Sequence, residues 1–512
     1  MDHFDVAVIG AGPEGLIAAI VLARTGLRVV LLEKASAPGG RAASQEFHPG
    51  FRASVYADEL PDIPNRLYRS LDLARHGAIL EPSPASVCIS NGGASVLFVD
   101  DARLAHSLPA AALPGILALR REVETLRLAI EARAALPSHA PRRRWFGSVR
   151  KSVGAVPWPA GGWAGASLDE VLGAHIADPQ LRLHLAADAV SGRAVSPFLA
   201  GTALHALAPG GGRSGLAPGG LGRLAIALAR AAESAGVVMR CASEVSDIHV
   251  ERGRATTLSV SGQGPVAAAA IVSALDLKRT FLGLLRWDAM PVPLAGRIGR
   301  FRVAGQRARV LFALDRPPAI PVLSTIEDAA AGAIHVAESM QALSVAHDIW
   351  RAGAVPSDPL VTLRVPSFAD PRFAPIGKAV MTATLSPIPT RLFDGGWTHE
   401  RRAKLAARAL AAAKRVMPDI EALVLAHRII AGPDIETALG ATDGDCDGGE
   451  LAPDQVLGFR PFHDAQWQDG RTPVSGLYLG GASSAASPFL LGVSGERAAL
   501  AVAADFAAGG LR

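Results

Sequence analysis

The feature that most constrains this chain lies in its first 33 residues. Phe4 to Ile9 is a short apolar β run, and Gly10-Ala11-Gly12-Pro13-Glu14-Gly15 follows it at once. Leu16 to Thr25 then reads as a helix stopped at Gly26, and Arg28 to Leu32 as a second strand ending in Glu33. Strand, G-x-G-x-x-G, helix, strand and acid in this order define a dinucleotide-binding turn. Gly10 permits the tight turn, Gly12 lets a pyrophosphate approach the backbone, and Gly15 lets the helix lie on the sheet. The helix N-terminus offers free N–H groups to phosphate. The Glu33 carboxylate can accept ribose hydroxyls. Glu14 is the one awkward residue, a carboxylate near the phosphates, and is expected to point to solvent.

A second match, Gly210-Gly211-Gly212-Arg213-Ser214-Gly215, follows Pro209 and lacks the preceding strand. One dinucleotide domain is therefore expected, with no separate nicotinamide domain.

Lys34 to Ser44 carries Gly39-Gly40-Arg41. With this loop placed after the ribose acid, the chain resembles the flavin-dependent amine oxidase and phytoene desaturase superfamily. The resemblance continues through Pro218 to Leu224, the helix Ala225 to Ala235, the strands around Val237 to Ile248, and Ala270 to Asp276. It ends with Arg460-Pro461, Thr472 to Ala482, Gly492, Gly495 and a helix from Glu496 to Phe506. Within the superfamily the chain is similar to the phytoene dehydrogenase-like branch named for a pyridine nucleotide-disulfide oxidoreductase domain, although it lacks the cysteine pair of that name.

The resemblance implies FAD, held by Gly10, Gly12, Gly15, Glu33, Lys34, Gly40, Arg41, Val245, Gly481, Ala482, Gly492 and Val493. In the family the backbone at the position of Val245 touches adenine, Arg41 adds charge on the flavin side, and the last helix turns its N-terminus to the cofactor. His205 and Phe489 are the substrate-pocket candidates. Where relatives carry a His-Pro-Gly-Gly-Gly run, this chain has Ala485-Ala486-Ser487-Pro488-Phe489. No catalytic residue is assigned, because hydride transfer to flavin does not strictly require a strong acid or base.

The expected fold is α/β. A Rossmann-type FAD-binding domain is assembled from discontinuous segments, 1–75, 205–290 and 430–512. A mixed α+β substrate domain comprises 76–204 and 291–429. Leu113 to Leu136 has helical spacing at Ile116, Leu119, Val123, Leu126 and Ile130. Val310–Leu314, Ala333–Val336, Val361–Val365 and Val380–Leu385 read as strands, and His399–Val416 as a helix.

Composition narrows the function. Charged residues are 19% of 512 and apolar residues 49%, which excludes a largely disordered chain and favours an apolar, lipid or isoprenoid substrate. A net charge of +4 does not call for nucleic acid. Three dispersed cysteines exclude a disulfide framework and fit a reducing compartment. The N-terminus lacks a basic leader, and the charge-poor stretches 194–212 and 472–495 are broken by Gly, Pro and Ser, so a cytoplasmic location is expected. Arg142-Arg143-Arg144-Trp145-Phe146, with Arg150, Lys151 and Trp158, would suit peripheral contact with an anionic membrane, at ~1 kcal/mol per cation, or form a solvated loop.

Asp443 to Asp454 follows a calcium-loop expression, but Glu450 occupies an apolar place and no helix pair flanks it. An acidic surface loop is the preferred reading, with no metal. The expected activity is FAD-dependent oxidation at a CH–CH or CH–NH donor, with oxygen or a quinone as electron acceptor. The rival is an FAD-binding structural or assembly protein with little turnover.

Overall fold

The computed structural model describes residues 2–80, 83–135, 162–207, 220–324, 327–456, 459–484 and 489–511. Two seven-stranded sheets form its framework. In the first, the order is Val238–Arg240, Val29–Leu32, Asp2–Ile9, Val266–Ser273, Arg254–Val260 and Val245–Glu251. Leu477–Leu479 shares the far side of Val266–Ser273 and runs parallel to it. The strands around Asp2–Ile9 are parallel, and the last two form an antiparallel hairpin at the edge. Parallel strands buried on both faces need unbroken apolar runs, which Val6 to Ile9 and Val29 to Leu32 supply.

The helix Pro13–Ala23 leaves the first strand through Gly12, with Pro at its first position where no backbone donor is needed. Gly15 is required by packing, since a Cβ there would lie 1.9 Å from the Gly10 carbonyl oxygen. Leu221–Ser234 and Val493–Ala507 flank this helix. The last strand and last helix of the chain thus complete a layer begun by the first.

The second sheet runs Val424–Ile430, Ala308–Leu314, Ala379–Ser386, Leu360–Arg364, Ala333–Val336, Ala85–Ser90 and Gly93–Phe98. It is antiparallel except where Ala333–Val336 meets Ala85–Ser90. The helix His399–Lys414 buries Leu405, Ala406 and Ala409 in the core of this sheet. Leu113–Ala135 buries Ile116, Leu119 and Leu126, with Val123 and Ile130 partly covered. None of the described helices is long and apolar enough to cross a membrane. The basic-aromatic stretch 142–158 and the second glycine-rich match lie outside the described residues.

Buried charge ties the two layers together. Arg309 projects from the second sheet and donates a two-pronged pair to Asp58, at 2.7 and 2.6 Å, and to the Ser54 carbonyl. Thr382 and Thr384 also donate to Asp58. Arg364, two strands away on Leu360–Arg364, pairs with Glu59. Breaking a buried pair leaves one charge uncompensated, which costs about 3–5 kcal/mol. Arg309→Met is therefore expected to lower the urea-unfolding free energy by about that much. The double variant Arg309→Met/Asp58→Leu should recover more than half of the loss. A loss below about 1 kcal/mol in the single variant would mean the pair does not hold the layers together.

Candidate functional site

The nucleotide turn opens into a cavity of about 920 Å³, at the upper end of the ~300–1,000 Å³ typical of ligand pockets. Gly10, Gly12, Gly15, Glu33, Gly40, Arg41 and Ala482 line it. Gly12 and Gly40 face each other across its wall. A Cβ on Gly12 would find only the Gly40 Cα, at 4.0 Å, so the space over this backbone is open. Gly40 is left-handed, with φ of +50°, and a Cβ there would press on Gly12 at 3.0 Å. Glu33 is buried and accepts from the backbone N–H groups of Ala11 at 2.7 Å and Ala35 at 2.8 Å. A carboxylate has about four acceptor positions, so two remain for hydroxyl donors.

Other predicted residues lie elsewhere. Lys34 donates to the Thr437 carbonyl and lines a shallow depression beside the cavity. Val245 is buried in the sheet opposite Val260, two residues past Ser243, whose N–H meets the Glu33 carbonyl. Gly481 stands behind the wall, where a Cβ would strike the Leu275 and Ala274 carbonyls.

Glu14 corrects two expectations together. It is buried rather than solvent-facing, and its carboxylate accepts from Gly492 N at 2.8 Å and Gly495 N at 2.9 Å. The N-terminus of the last helix is thus met by a side chain of the first helix. Neither Gly492 nor Val493 lines the cavity, although Glu14 and Leu491 do. A Cβ on Gly492 would strike Ile17 and Leu67, and Val493 is fully buried in an apolar cluster.

The loop 443–449 corrects a third. Asp445 is buried rather than at the surface, and accepts from Asp447 N and Gly449 N. Burial and the Asp447 charge push its carboxyl well above the usual range. Asp447, although burial opposes its charge, is held well below that range by Arg307, Arg193 and Arg41. Asp454 pairs with Arg302 and Asp443 with Arg391, so these carboxylates face guanidinium groups. Among the described residues no cluster of His, Cys, Asp or Glu is arranged to hold a metal. This loop divides the nucleotide cavity from an inner one. Asp445, Cys446 and Gly448 line the first, Asp447 and Gly449 the second, and Arg41 both.

The inner cavity, about 80 Å³, contains His205, Arg193, Arg307, Arg309, Arg364, Asp58, Glu59 and Thr362. His205 is where a pocket residue was expected. Burial drives its imidazole down to about 3, and its Nδ1 has no hydrogen-bond partner. The arginines were missed. The available signal was a lone Arg inside an apolar strand, at Arg309 in Ala308–Leu314 and at Arg364 closing Leu360–Arg364.

Phe489 is in neither cavity. It is buried and lines a third, of about 240 Å³, with Ile63, Leu128, Leu221 and Leu224. Residues 485–488, which precede it, lie outside the described residues. The second and third cavities share Pro61.

A buried polar chain starts at the inner cavity. Thr362 Oγ1 meets His335 Nδ1 at 2.9 Å, and His335 Nε2 meets Asp188 at 2.8 Å. Ser86 joins Asp188 to His184 Nε2, both at 2.9 Å, and His184 Nδ1 reaches Ser95. Burial, with a smaller push from the nearby His335, lowers the His184 pKa to about 4 against an opposing pull from Asp188.

A family model described as flavin-containing amine oxidoreductase matches residues 15–280, just over half of the chain. This chain belongs to that family, and FAD is its cofactor. Pyridine nucleotide-disulfide oxidoreductase domain-containing protein 2 of Rattus norvegicus is 26% identical over 98% of this chain and 94% of its own length. A phytoene dehydrogenase of Streptomyces griseus is 27% identical over 76% and 73%. Among solved structures, a putrescine oxidase variant aligns with a TM-score of 0.61 at 17% identity, covering 99% of both chains. An oxidoreductase from Methanosarcina mazei aligns at 0.59 and 18%, covering 98% of this chain and 99% of that one. At these identities the structures establish the fold.

Two predictions follow from this geometry. A Cβ at Gly12 meets nothing closer than 4.0 Å, so FAD-free Gly12→Val should fold with a melting temperature close to that of the FAD-free parent. The visible flavin absorbance per mole of the variant as purified should fall at least tenfold; undiminished FAD would remove Gly12 from the cofactor site. The second concerns pH. His184 is held neutral when folded, so below pH 6.5 only the unfolded chain gains its proton. Its stabilising contribution is present above 6.5 and lost as the pH falls towards about 4. In thermal melts from pH 7.5 to 4.5, His184→Gln should lose less stability than the parent, by roughly 2–3 kcal/mol at the acid end.

Proposed function

We propose that the chain is an FAD-dependent dehydrogenase that takes a hydride from a C–H bond of a largely apolar substrate, at a CH–CH donor. The observation that carries this reading is the open cradle between Gly12 and Gly40, with the Glu33 carboxylate at the strand end. Its residues suit the two ends of an ADP moiety: bare backbone for pyrophosphate, and spare carboxylate acceptors for ribose. When bound, FAD would supply a two-electron acceptor.

The remaining work falls to the chain. Arg41, at the junction of the two cavities, would carry positive charge toward the cofactor. Leu128, Leu221, Leu224 and Phe489 would supply an apolar wall for the body of the substrate. The surplus of guanidinium over carboxylate groups in the inner cavity disfavours an ammonium group there, which supports CH–CH over CH–NH chemistry.

The test is anaerobic titration of the FAD-loaded protein, followed by loss of flavin absorbance. Apolar CH–CH donors are expected to bleach it. Primary amines such as putrescine or cyclohexylamine are expected to leave it unchanged, and rapid bleaching by either would overturn the choice of donor. NADH and NADPH should reduce the flavin slowly or not at all, since the chain carries one dinucleotide turn. Rapid stoichiometric bleaching by NADPH would contradict this.

A further inference from the structure

The inner cavity holds more positive than negative charge. Arg41, Arg193, Arg307, Arg309 and Arg364 face Asp58, Glu59 and Asp447, two more cations than anions. Asp445, behind the wall, would reduce the surplus only when ionised, and it is the carboxyl pushed upward. The pairings account for most of the set. Arg309 forks onto Asp58, Arg364 meets Glu59, and Arg307 and Arg41 share Asp447. Arg193 makes no ion pair among the described residues; its Nη1 donates to the Ala189 carbonyl at 3.2 Å. Burial lowers its pKa from the usual value, opposed in part by Asp447 and Glu59.

Two further donors are unused. Arg364 Nη1 and Arg309 Nε have no hydrogen-bond partner, although their side chains are only 4% and 1% exposed. Buried guanidinium donors without acceptors are costly and call for an anion. A volume of about 80 Å³ equals two to three waters at ~30 Å³ each, which suits a carboxylate. Carboxylates are also the groups that guanidinium forks bind in parallel pairs. At Pro61 this cavity adjoins the third one, which has an apolar wall of Leu128, Leu221, Leu224 and Phe489 and a charged rim of Asp62, Glu124, Arg127 and Glu131, so a carboxylate here would head a body seated on that apolar wall.

We propose that the inner cavity is a carboxylate-binding subsite, with Arg193 as its principal cation and Arg364 and Arg309 as supporting donors, and that the substrate is an apolar molecule bearing a carboxylate. This rests on the reading of the adjoining cavity as the FAD site.

The experiment uses the FAD-loaded full-length protein and three probes of one shape: sodium benzoate, benzylamine and benzyl alcohol. Benzoate is expected to perturb the visible flavin spectrum saturably, and the other two at least tenfold more weakly. Arg193→Met should weaken benzoate at least tenfold with FAD content unchanged, and Arg193→Lys should restore part of the affinity. Equal binding of the three probes, or unchanged benzoate affinity in Arg193→Met, overturns the proposal. So does a change confined to the sulfite affinity of the flavin, because the cation would then serve the cofactor and not a substrate. Should Arg193→Met fail to fold, the ranking of probes on the parent and the Arg193→Lys titration decide the matter. Should the parent hold no FAD, the flavin reading fails separately. Calorimetric titration of benzoate into the same protein then decides the subsite, saturable heat supporting it and its absence overturning it.

Discussion

The site depends on one guanidinium. Arg460 is fully buried and donates to main-chain carbonyls on two sides of the junction between cavities. Its Nε and Nη2 meet Ala482, Nη2 also reaches Asp447 and Gly448, and Nη1 reaches Glu450 and Gln455. Burial lowers its pKa to about 10, so it remains charged at neutral pH. A cation surrounded by carbonyl dipoles replaces the regular ladder that an irregular loop lacks. It thereby fixes residues 447–450, and with them the Asp447 carboxylate between Arg41 and Arg307. The wall is thin because glycine allows it: at Gly448 a Cβ would sit 2.7 Å from Ala482.

Charge and apolar contact together join the second sheet to the segment beside the site. The segment after the hairpin of Ser44–His48 and Phe51–Ser54 presents Asp58 and Glu59 to arginines of the second sheet, while Phe51, Val55 and Tyr56 pack with Leu311, Ala313 and Val380 of that sheet. Such a junction costs desolvation but specifies geometry. An apolar interface could shift by a fraction of a side chain, whereas a forked guanidinium–carboxylate pair accepts little sliding.

Legibility in the sequence follows contact range. The strands Asp2–Ile9 and Val29–Leu32, the turn at Gly10 to Gly15 and Glu33 were readable because each constraint lies within about thirty residues and has a recognised chemical purpose. The helix from Leu113 was readable from its apolar spacing. Glu14 was not, because its partners at Gly492 and Gly495 are remote and no local pattern marks a carboxylate as a cap for another helix. The loop 443–449 looked acidic and exposed because its balancing arginines arrive from distant strands. Phe489 was placed by alignment with glycines in relatives, whereas packing carries it to a different wall. The inner arginines show the limit most clearly: Arg309 and Arg364 interrupt apolar strands, but nothing near Arg193 announces a role.

The bond between Glu14 and the last helix has a consequence for how the protein is made. Its partners are 478 residues apart, and the strand Leu477–Leu479, beside the nucleotide turn, is nearly as late. A chain still on the ribosome can form the glycine turn early, but it cannot brace the first helix or complete its layer. The half-built site, with apolar strands exposed and a carboxylate lacking its donors, must wait for Leu477–Leu479 and Val493–Ala507 to emerge. The nucleotide turn is therefore braced only after residues 477–507 have been made, and the order of synthesis sets the order of maturation.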